Sequence, residues 1–529
     1  MEKSLFNGII KLFTKKKFPT ISKRQQTINI NEMKLEMKKI FLTIMILTPM
    51  FLMAQTDSDM FDFSSVYYQG TAKSAAMGNA MGAVGSDFSA IAINPAGLGL
   101  FRKSTFVFTP EFHSISTESD YKGSYGSDRA FKVPVNNIGL TWTQEYNNSP
   151  LKSVSFALGL NKLNNYTFQS YVNGDNPNTS LIDAYIDELY QNGIYNDHAL
   201  EDYSPNGIFP IWETYLLDFY EADTIIDSAV PQGGLNQQFG VSKRGSSREF
   251  NLAAGFNFNE KVFFGVSINI PYFTKTVTKQ YKEVNLNASD NFRNWAQEEV
   301  VKNSGTGINA KIGAIFYPVQ WLRIGAAFHT PTIYKVEESW GTETWSSFNN
   351  AGYNYISPTG VYTYTVTTPY RLNASAAFIF GNFGMITADY EFMDYSLMRA
   401  SSYDYNYSGF NNYIRKTYST TSNIRVGTEW RWQTMAFRAG YAFYGSPFGM
   451  NKTDYRTDSY SCGFGFTYHV FTLDLAYVFS QRHNSYQLYE QYSEYPALYG
   501  QNNEFTDDTK VKETTNINQV VISFKFRLD

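Results

Sequence analysis

Apolar and polar residues alternate with a period of two along most of the chain after residue 103. Near the C-terminus, Phe471, Leu473 and Leu475 alternate with Thr472 and Asp474. Such alternation predicts β-strands with one apolar and one polar face. Fourteen segments of this kind are present, at residues 104–116, 134–146, 151–165, 247–258, 261–275, 304–316, 321–334, 364–380, 383–397, 417–432, 434–445, 456–468, 471–483 and 514–528.

The connections between these segments alternate in length. Those after even-numbered segments are as short as the single residue Gln433 or the pair Asn259-Glu260. Those after odd-numbered segments are long, and the longest covers about 166–246. Short turns on one side, long loops on the other and an even number of strands are typical of bacterial outer-membrane barrels. The pattern predicts an all-β fold, a fourteen-stranded antiparallel transmembrane β-barrel over residues 104–529.

Composition agrees with this prediction. Charged residues make up 17% of the 529 residues and aromatic residues another 17%, whereas globular proteins average about 25% charged residues. Few charges and many aromatic residues argue against a disordered or nucleic-acid-binding chain. A mean hydropathy of −0.34 argues against a bundle of membrane helices. A barrel fits both facts because only alternate residues face lipid.

The N-terminal region predicts export. An apolar run from Ile40 to Met53 follows Met37-Lys38-Lys39 and ends at Ala54-Gln55. It is too short to span a bilayer, which takes about 20 residues, and its flanks are those of a secretory signal peptide over residues 37–54. Residues 1–36 are then interpreted as a mis-called N-terminal extension, with Met37 as the true start, and the alternative is an unusually long charged region before the apolar run. No cysteine follows the apolar run, so a lipoprotein anchor is excluded, and we expect the outer membrane of a Gram-negative bacterium.

The last predicted strand carries a second export feature. Val520, Ile522, Phe524 and Phe526 share one face of it. An aromatic-rich amphipathic last strand resembles the signal read by the barrel-assembly machinery, which is therefore an expected partner. The chain departs from that pattern by ending on Arg527-Leu528-Asp529 instead of an aromatic residue.

Residues 55–103 show no alternation and are rich in glycine and alanine. The glycine spacing is not that of a phosphate-binding loop, because no Lys-Ser/Thr follows it and no strand precedes it. A flexible linker is one interpretation of this composition. The other is a compact segment, since glycine and alanine permit close backbone packing and Asn94 can cap a turn beside Pro95.

Three short stretches of this region carry a resemblance to a known family. Met77–Ala80, Asp87–Ala90 and Asn94–Leu98 resemble the N-terminal hatch of the FadL/TodX family, outer-membrane transporters of long-chain fatty acids and other hydrophobic compounds. Asn94, Pro95 and Ala96 match the hatch motif residue by residue, and Gly97 follows them. The resemblance implies that residues 55–103 plug the barrel and that the protein takes up hydrophobic or amphiphilic small molecules.

Two alternatives to uptake stay open from the sequence. Some barrels that resemble this family act as subunits of secretion or surface-assembly machines. A porin for polar solutes is the other, but a hatch disfavours it because small-solute porins are open.

The long loop at about 166–246 predicts helices. Apolar residues recur at helical spacing from Leu181 to Tyr190, and a second helix is predicted over 212–226. The two helices either pack on each other as a lid or form an outer groove that captures ligand, as the resemblance implies. The residues of such a capture surface would be Leu181, Tyr185, Ile186, Leu189, Trp212, Tyr215 and Phe219.

Four cations are predicted to face the lumen: Lys311, Arg323, Arg425 and Arg438. They could contact the carboxylate of an amphiphilic ligand, or they could form a ladder of salt bridges that braces the wall.

No pattern points to catalysis. The five histidines are scattered, without HExxH or Cys/His metal spacing. We therefore expect no enzyme activity, no metal and no cofactor. The expected partners are outer-membrane lipid and a hydrophobic small-molecule ligand, not nucleic acid, and the barrel is expected to be monomeric.

Overall fold

The computed structural model describes residues 57–220, 225–448, 455–489 and 509–528. The predicted N-terminal extension and signal peptide lie outside the described residues. Within these ranges, no helix has the length and apolar character needed to cross a membrane.

The described strands form one antiparallel wall that closes on itself. Phe106 of the first strand pairs with Phe526 of the last, which completes the ring. Twenty strand segments build the wall or extend it: β1 (Ser104–Tyr121), β2 (Ser124–Lys132), β3 (Val135–Glu145), β4 (Leu151–Asn165), β5 (Phe168–Asn176), β8 (Leu235–Phe258), β9 (Val262–Asn285), β10 (Phe292–Val319), β11 (Leu322–His329), β12 (Ile333–Phe348), β13 (Gly352–Ile356), β14 (Gly360–Thr367), β15 (Arg371–Phe380), β16 (Gly384–Asp394), β17 (Arg399–Ser401), β18 (Thr420–Trp432), β19 (Met435–Tyr444), β20 (Thr457–Tyr468), β21 (Phe471–Gln487) and β22 (Lys510–Leu528). A separate hairpin pairs β6 (Leu217–Tyr220) with β7 (Ile225–Ser228).

Fourteen wall strands result within the described residues, because five of them are interrupted: four of these carry two labels and one carries three. The interrupted strands are β2 with β3, β4 with β5, β11 with β12, β13 with β14 and β15, and β16 with β17. Every pairing between neighbours is antiparallel. The predicted fourteen-stranded antiparallel barrel is confirmed.

The two faces of the wall meet different surroundings. Along β9, Gly265, Ser267 and Asn269 point inward and are buried, while the outward residues between them are apolar and 42–59% exposed: Phe264, Val266, Ile268 and Ile270. A closed barrel whose outer face is a continuous apolar band is suited to lipid. On β9 this band ends at Tyr272, since Thr274 and Thr276 follow on the same face.

Several strands extend further than the sequence predicted. β8 and β9 have 24 residues each and β10 has 28, so parts of the loops predicted at 166–246 and 276–303 are strand. The reason is that backbone pairing continues past the apolar band, where the outward face becomes polar and alternation no longer marks it.

The short connections lie on one side of the barrel, as predicted. Asn259 and Glu260 both have positive φ angles, 51° and 58°. These angles form a two-residue turn whose twist matches that of antiparallel strands.

The long connections on the other side build an outer cap. It contains α4 (Leu181–Asn192), α5 (Asp197–Tyr203) and α6 (Phe209–Glu213). The helix predicted from Leu181 is present, with a capping box between Ser180 and Asp183 and a left-handed Gly193 at its end. The second predicted helix, 212–226, is wrong: α6 ends at Glu213 and the β6–β7 hairpin follows, because Tyr215 adopts a positive φ of 58° that a helix cannot contain.

The segment before β1, which we call the N-terminal segment (57–103), lies inside the barrel. It contains α1 (Asp57–Ser64), α2 (Ala72–Ala76), α3 (Ala90–Ile93) and a 3₁₀ helix at Pro95–Leu100. A further helix, α7 (Ser408–Thr417), and a 3₁₀ turn at Tyr395–Leu397 belong to the outer connections.

Candidate functional site

The Asn94-Pro95-Ala96 motif folds the N-terminal segment and attaches it to the wall. The Asn94 side chain accepts a hydrogen bond from Ala96 N at 3.0 Å and donates to Gly82 O at 2.8 Å. It also donates to Ala314 O of β10 at 3.3 Å. Pro95 starts the 3₁₀ helix, where its lack of an N–H costs nothing. Gly97 O accepts from Ser86 N at 3.0 Å, which joins the motif to the preceding turn.

Inward glycines of the wall receive the N-terminal segment. A Cβ on Gly265 would collide with the backbone of Pro95, and one on Gly313 would collide with the side chain of Asn94. Seven other inward glycines that the sequence shows contact the segment in the same way: Gly139, Gly159, Gly255, Gly325, Gly427, Gly440 and Gly463. The space that these small residues leave is therefore filled by residues 76–99 and not by solvent.

Arg425 is completely buried in this contact layer. Its guanidinium lies 3.5 Å from Glu391 and 3.9 Å from Asp389. The ring of Tyr68, from the N-terminal segment, covers it at 4.9 Å. Glu391 also accepts from Tyr68 Oη at 2.9 Å, and Asp389 accepts from Gly82 N at 2.9 Å. Arg425 thus braces the wall and holds the N-terminal segment.

Of the other three predicted lumen cations, Arg438 and Lys311 pair with wall carboxylates, whereas Arg323 lies over the ring of Tyr317 at 4.6 Å. Arg438 donates to Glu429 at 2.6 Å and to Asp474 at 2.7 Å. Lys311 pairs with Glu249 at 2.5 Å and donates to Ala92 O at 3.2 Å. Arg323 donates to Val84 O at 3.2 Å. None of the four lines the large cavity described next.

A cavity of about 390 Å³ lies between the N-terminal segment and the wall. The cations that line it are Lys243 of β8, Lys275 and Lys279 of β9 and Arg482 of β21. Apolar side chains of the wall, among them Ile115, Val478 and Ile517, line its middle. A cavity of this volume with an apolar wall and a few polar groups is typical of a small-molecule site.

Helix α1 is tied to the outer end of this cavity by ion pairs. Lys275 lies 2.5 Å from Asp59 and also contacts Asp62, and both aspartates belong to α1. Lys275 is beyond the apolar band of β9. Burial alone would lower the pKa of its ammonium, but Asp59 and Asp62 outweigh burial and raise that pKa above its usual value.

Lys243 and Arg482 are less fully paired. Lys243 lies 3.7 Å from Asp62, is 29% exposed at its side chain, and burial lowers its pKa below the usual range. Arg482 is held between the rings of Tyr67 and Tyr455 at 5.1 and 5.0 Å. It donates to Thr457 Oγ1 and Tyr455 Oη, each at 3.0 Å. Among the described residues, no carboxylate lies within 4.0 Å of it.

The wall beside the cavity has a break in its pairing. Among the described residues, β2 pairs only with β1, and β5 pairs only with β8, although β2 and β5 are adjacent. The break begins where β4 ends and β5 starts, at Tyr166 and Thr167, and both residues line the cavity. Backbone hydrogen bonds therefore do not seal this part of the wall.

The predicted outer capture residues form much of the interior of the cap. Leu189 and Ile186 are buried in its apolar cluster with Trp295 and Tyr281. Four others are partly buried against the same cluster: Leu181, Tyr185, Trp212 and Phe219. Tyr215 alone of the seven is largely exposed, at 61%, and its ring lies 4.5 Å from that of Tyr353.

Sequence reasoning missed Lys243, Lys275 and Arg482. Lys275 shares the inward phase of Ser267 and Asn269, and Arg482 shares that of Asp474. The phase could therefore have identified both as inward residues. Lys243 fell within a predicted loop, so no phase was assigned to it. In the described ranges, no group of three His, Cys, Asp or Glu side chains could hold a metal ion.

Comparison with known proteins identifies the fold. No protein-family model and no curated protein matches the chain. The crystal structure of a Pseudomonas aeruginosa FadL homologue matches with a TM-score of 0.52 and 11% identity, over 88% of this chain and 99% of that chain. The P. putida toluene transporter TodX matches with a TM-score of 0.50 and 11% identity, over 88% and 99% of the two chains. The chain has the fold of these barrels.

Proposed function

We propose that the protein is an outer-membrane transporter that takes up hydrophobic or amphiphilic small molecules of the long-chain fatty acid class. Its apolar outer band suits lipid, and its lumen holds a plug and a cavity of small-molecule size. The fold, shared with a FadL homologue and a toluene transporter, supports the same function.

The environment of Arg482 is the observation that carries this proposal. Tyr67 and Tyr455 fix the guanidinium by stacking and hydrogen bonding, without neutralising its charge. A ligand carboxylate would supply the missing negative charge, because arginine pairs with carboxylates through parallel N–H donors. The tail of the ligand would lie along Ile115, Val478 and Ile517, which removes apolar surface from water.

The N-terminal segment acts as a hatch in this proposal. Its Asn94-Pro95-Ala96 region is seated on glycines, while α1 is tied to the cavity by Asp59 and Asp62. A ligand carboxylate that competes for Lys275 and Lys243 would weaken the tie on α1. The cavity then empties either past the hatch or through the wall where β2 and β5 are unpaired.

Export and assembly follow from the same proposal. Residues 37–54 act as a signal peptide, and β22 is the strand that the barrel-assembly machinery recognises. The mature protein is a monomeric barrel in the outer membrane of a Gram-negative bacterium, surrounded by its lipid.

Binding and uptake of a fluorescent long-chain fatty acid test the proposal. Purified wild-type protein should bind the probe, and a deletion strain that carries the gene should take it up faster than the empty strain. Arg482→Met should weaken binding about tenfold or more, since hydrogen bonds to charged groups contribute about 1.5–3 kcal/mol. Lys302→Met is the matched control, because Lys302 is exposed on β10 away from the cavity.

Two results would contradict the proposal. One is that the wild-type protein neither binds the probe nor speeds its uptake. The other is that Arg482→Met and Lys302→Met bind it equally well.

A further inference from the structure

A second polar site lies at the other end of the cavity, on β1. His113 lines the cavity and is only 2% exposed. Its Nδ1 lies 2.7 Å from Glu111 Oε1, while its Nε2 is buried and has no hydrogen-bond partner among the described residues. Leaving a buried polar atom unpaired is unfavourable, so this nitrogen is suited to a partner that arrives with the ligand.

The surroundings of Glu111 show that Nδ1 of His113 carries a proton. Glu111 is completely buried and also contacts Lys162 at 3.3 Å and Gln519 at 2.6 Å. All of these neighbours donate to the carboxylate, so Glu111 acts as the acceptor toward Nδ1 as well. Nδ1 therefore carries a proton, and Nε2 is left for a hydroxyl to bond, since a hydroxyl can both donate and accept.

A second unpaired atom lies close to the same place. Gln69, from the N-terminal segment, lines the cavity and pairs through its backbone with Lys162. Its Oε1 is buried and likewise has no partner among the described residues. Two unpaired atoms, one on the wall and one on the N-terminal segment, are therefore available to hydrogen-bond with a hydroxyl group.

The strand register gives the separation between the two ends of the cavity. His113 pairs with Gln519 of β22, and Arg482 pairs with Thr515 of the same strand. Four residues along a strand correspond to about 13 Å. Ile115 and Ile517, which are apolar and pair with each other, lie between the two levels, and Val478 lies at the level of His113.

We infer that the cavity selects hydroxylated long-chain carboxylates, with the carboxylate at Arg482 and a hydroxyl that hydrogen-bonds to His113 Nε2. The inference rests on the proposed function, since it assumes that the anionic head lies at Arg482. His113 is a specificity-determining residue in this scheme. It adds a hydrogen bond to a ligand whose hydroxyl lies far along the chain, and it adds none to a ligand with a plain alkyl chain. A hydrogen bond from the ligand hydroxyl to Gln69 Oε1 would connect the ligand to the N-terminal segment.

The test compares three ligands on the purified wild-type protein by isothermal titration calorimetry. Octadecanoate has no hydroxyl, 3-hydroxyoctadecanoate has one beside the carboxylate, and 12-hydroxyoctadecanoate has one far along the chain. We expect the 12-hydroxy compound to bind about three- to tenfold more tightly than the other two, the gain of one added hydrogen bond. Equal binding of all three would overturn the inference, whereas no binding of any would overturn the proposed function instead.

Two variants assign the effect to His113. His113→Phe keeps a ring but loses both nitrogens, so it should bind the three ligands with equal affinity. His113→Gln keeps a polar group near Nε2 and should recover part of the preference. A preference for 12-hydroxyoctadecanoate that persists in His113→Phe would overturn the assignment, and the wild-type comparison decides the inference even if that variant fails to fold.

Discussion

The lumen contains two groups of inward cations with different partners. Arg425, Arg438 and Lys311 lie in the layer where the N-terminal segment meets the wall, and each pairs with wall carboxylates within 4.0 Å. Arg482 and Lys243 lie further out, beside the cavity. Arg482 lies between the rings of Tyr67 and Tyr455, and Lys243 contacts Asp62 of the N-terminal segment and the ring of Phe168. Both groups point inward on their strands, so the alternation of inward and outward residues does not distinguish a structural ion pair from a ligand contact. What separates them is whether carboxylates of the neighbouring wall strands pair with the cation.

Arg425→Met should cause the largest loss of folding stability. It leaves Asp389 and Glu391 buried without their cation, and breaking a buried ion pair costs about 3–5 kcal/mol. Denaturant unfolding of the purified barrel, followed by its heat-modifiable migration on gels, measures the loss. The ratio of affinities for a fatty acid and a neutral hydrocarbon should stay at the wild-type value; a selective loss of fatty-acid binding would move Arg425 into the ligand-contact group.

Gly265→Val should have the next largest effect and lower the free energy of unfolding by about 1–3 kcal/mol. The added side chain would collide with the Pro95 backbone, so the N-terminal segment must shift away from β9. Gly240→Val is the matched control, since a Cβ there meets nothing within 4 Å. Entry of large antibiotics into cells should rise in Gly265→Val only; equal entry in both variants would show that the glycines do not seat the segment.

Lys243→Met should weaken ligand binding and leave the stability of the barrel unchanged. Fatty-acid affinity should fall about three- to tenfold, because one charged contact is lost, while hydrocarbon affinity and unfolding stay near wild type. Lys311→Met is the opposite case: it should lower stability and leave ligand preference unchanged. The comparison fails if both lysine variants lose fatty-acid binding to the same extent.

The smallest expected effect is a pH dependence of the stability of the barrel, to which Glu338 contributes. It lies at the level of Lys275, beyond the apolar band, and accepts from Tyr364 Oη at 3.0 Å. Burial, and then the nearby Asp59, raise the pKa of Glu338 to about 8. A carboxyl with a raised pKa stabilises the folded state fully below pH 4.5, and this contribution is lost as the pH rises to about 8.

Thermal unfolding from pH 5 to pH 9 measures this dependence. Glu338→Gln, which cannot ionise, should flatten the part of the curve that is due to this residue. Identical curves for Glu338→Gln and the wild type would show that the carboxyl is not held protonated.

The barrel itself was predictable from local pattern. Lipid outside and a packed lumen inside impose opposite demands on alternate residues, so Phe264, Gly265 and Val266 already show which face each occupies. The outer cap was less predictable. Tyr215 interrupts a helical pattern through its positive φ angle, and its ring packs on Tyr353, which is far away in the sequence.

The sequence by itself determined the number of strands, their inward and outward faces, the side that carries the long loops and the Asn94-Pro95-Ala96 motif. These are local properties, fixed by the two-residue period of a strand and by the turns between strands. Only the tertiary structure decided which lumen cations are neutralised and which line a cavity. That outcome depends on where residues 57–103 lie in the barrel, and their level is set by contacts with glycines on strands far apart in the chain.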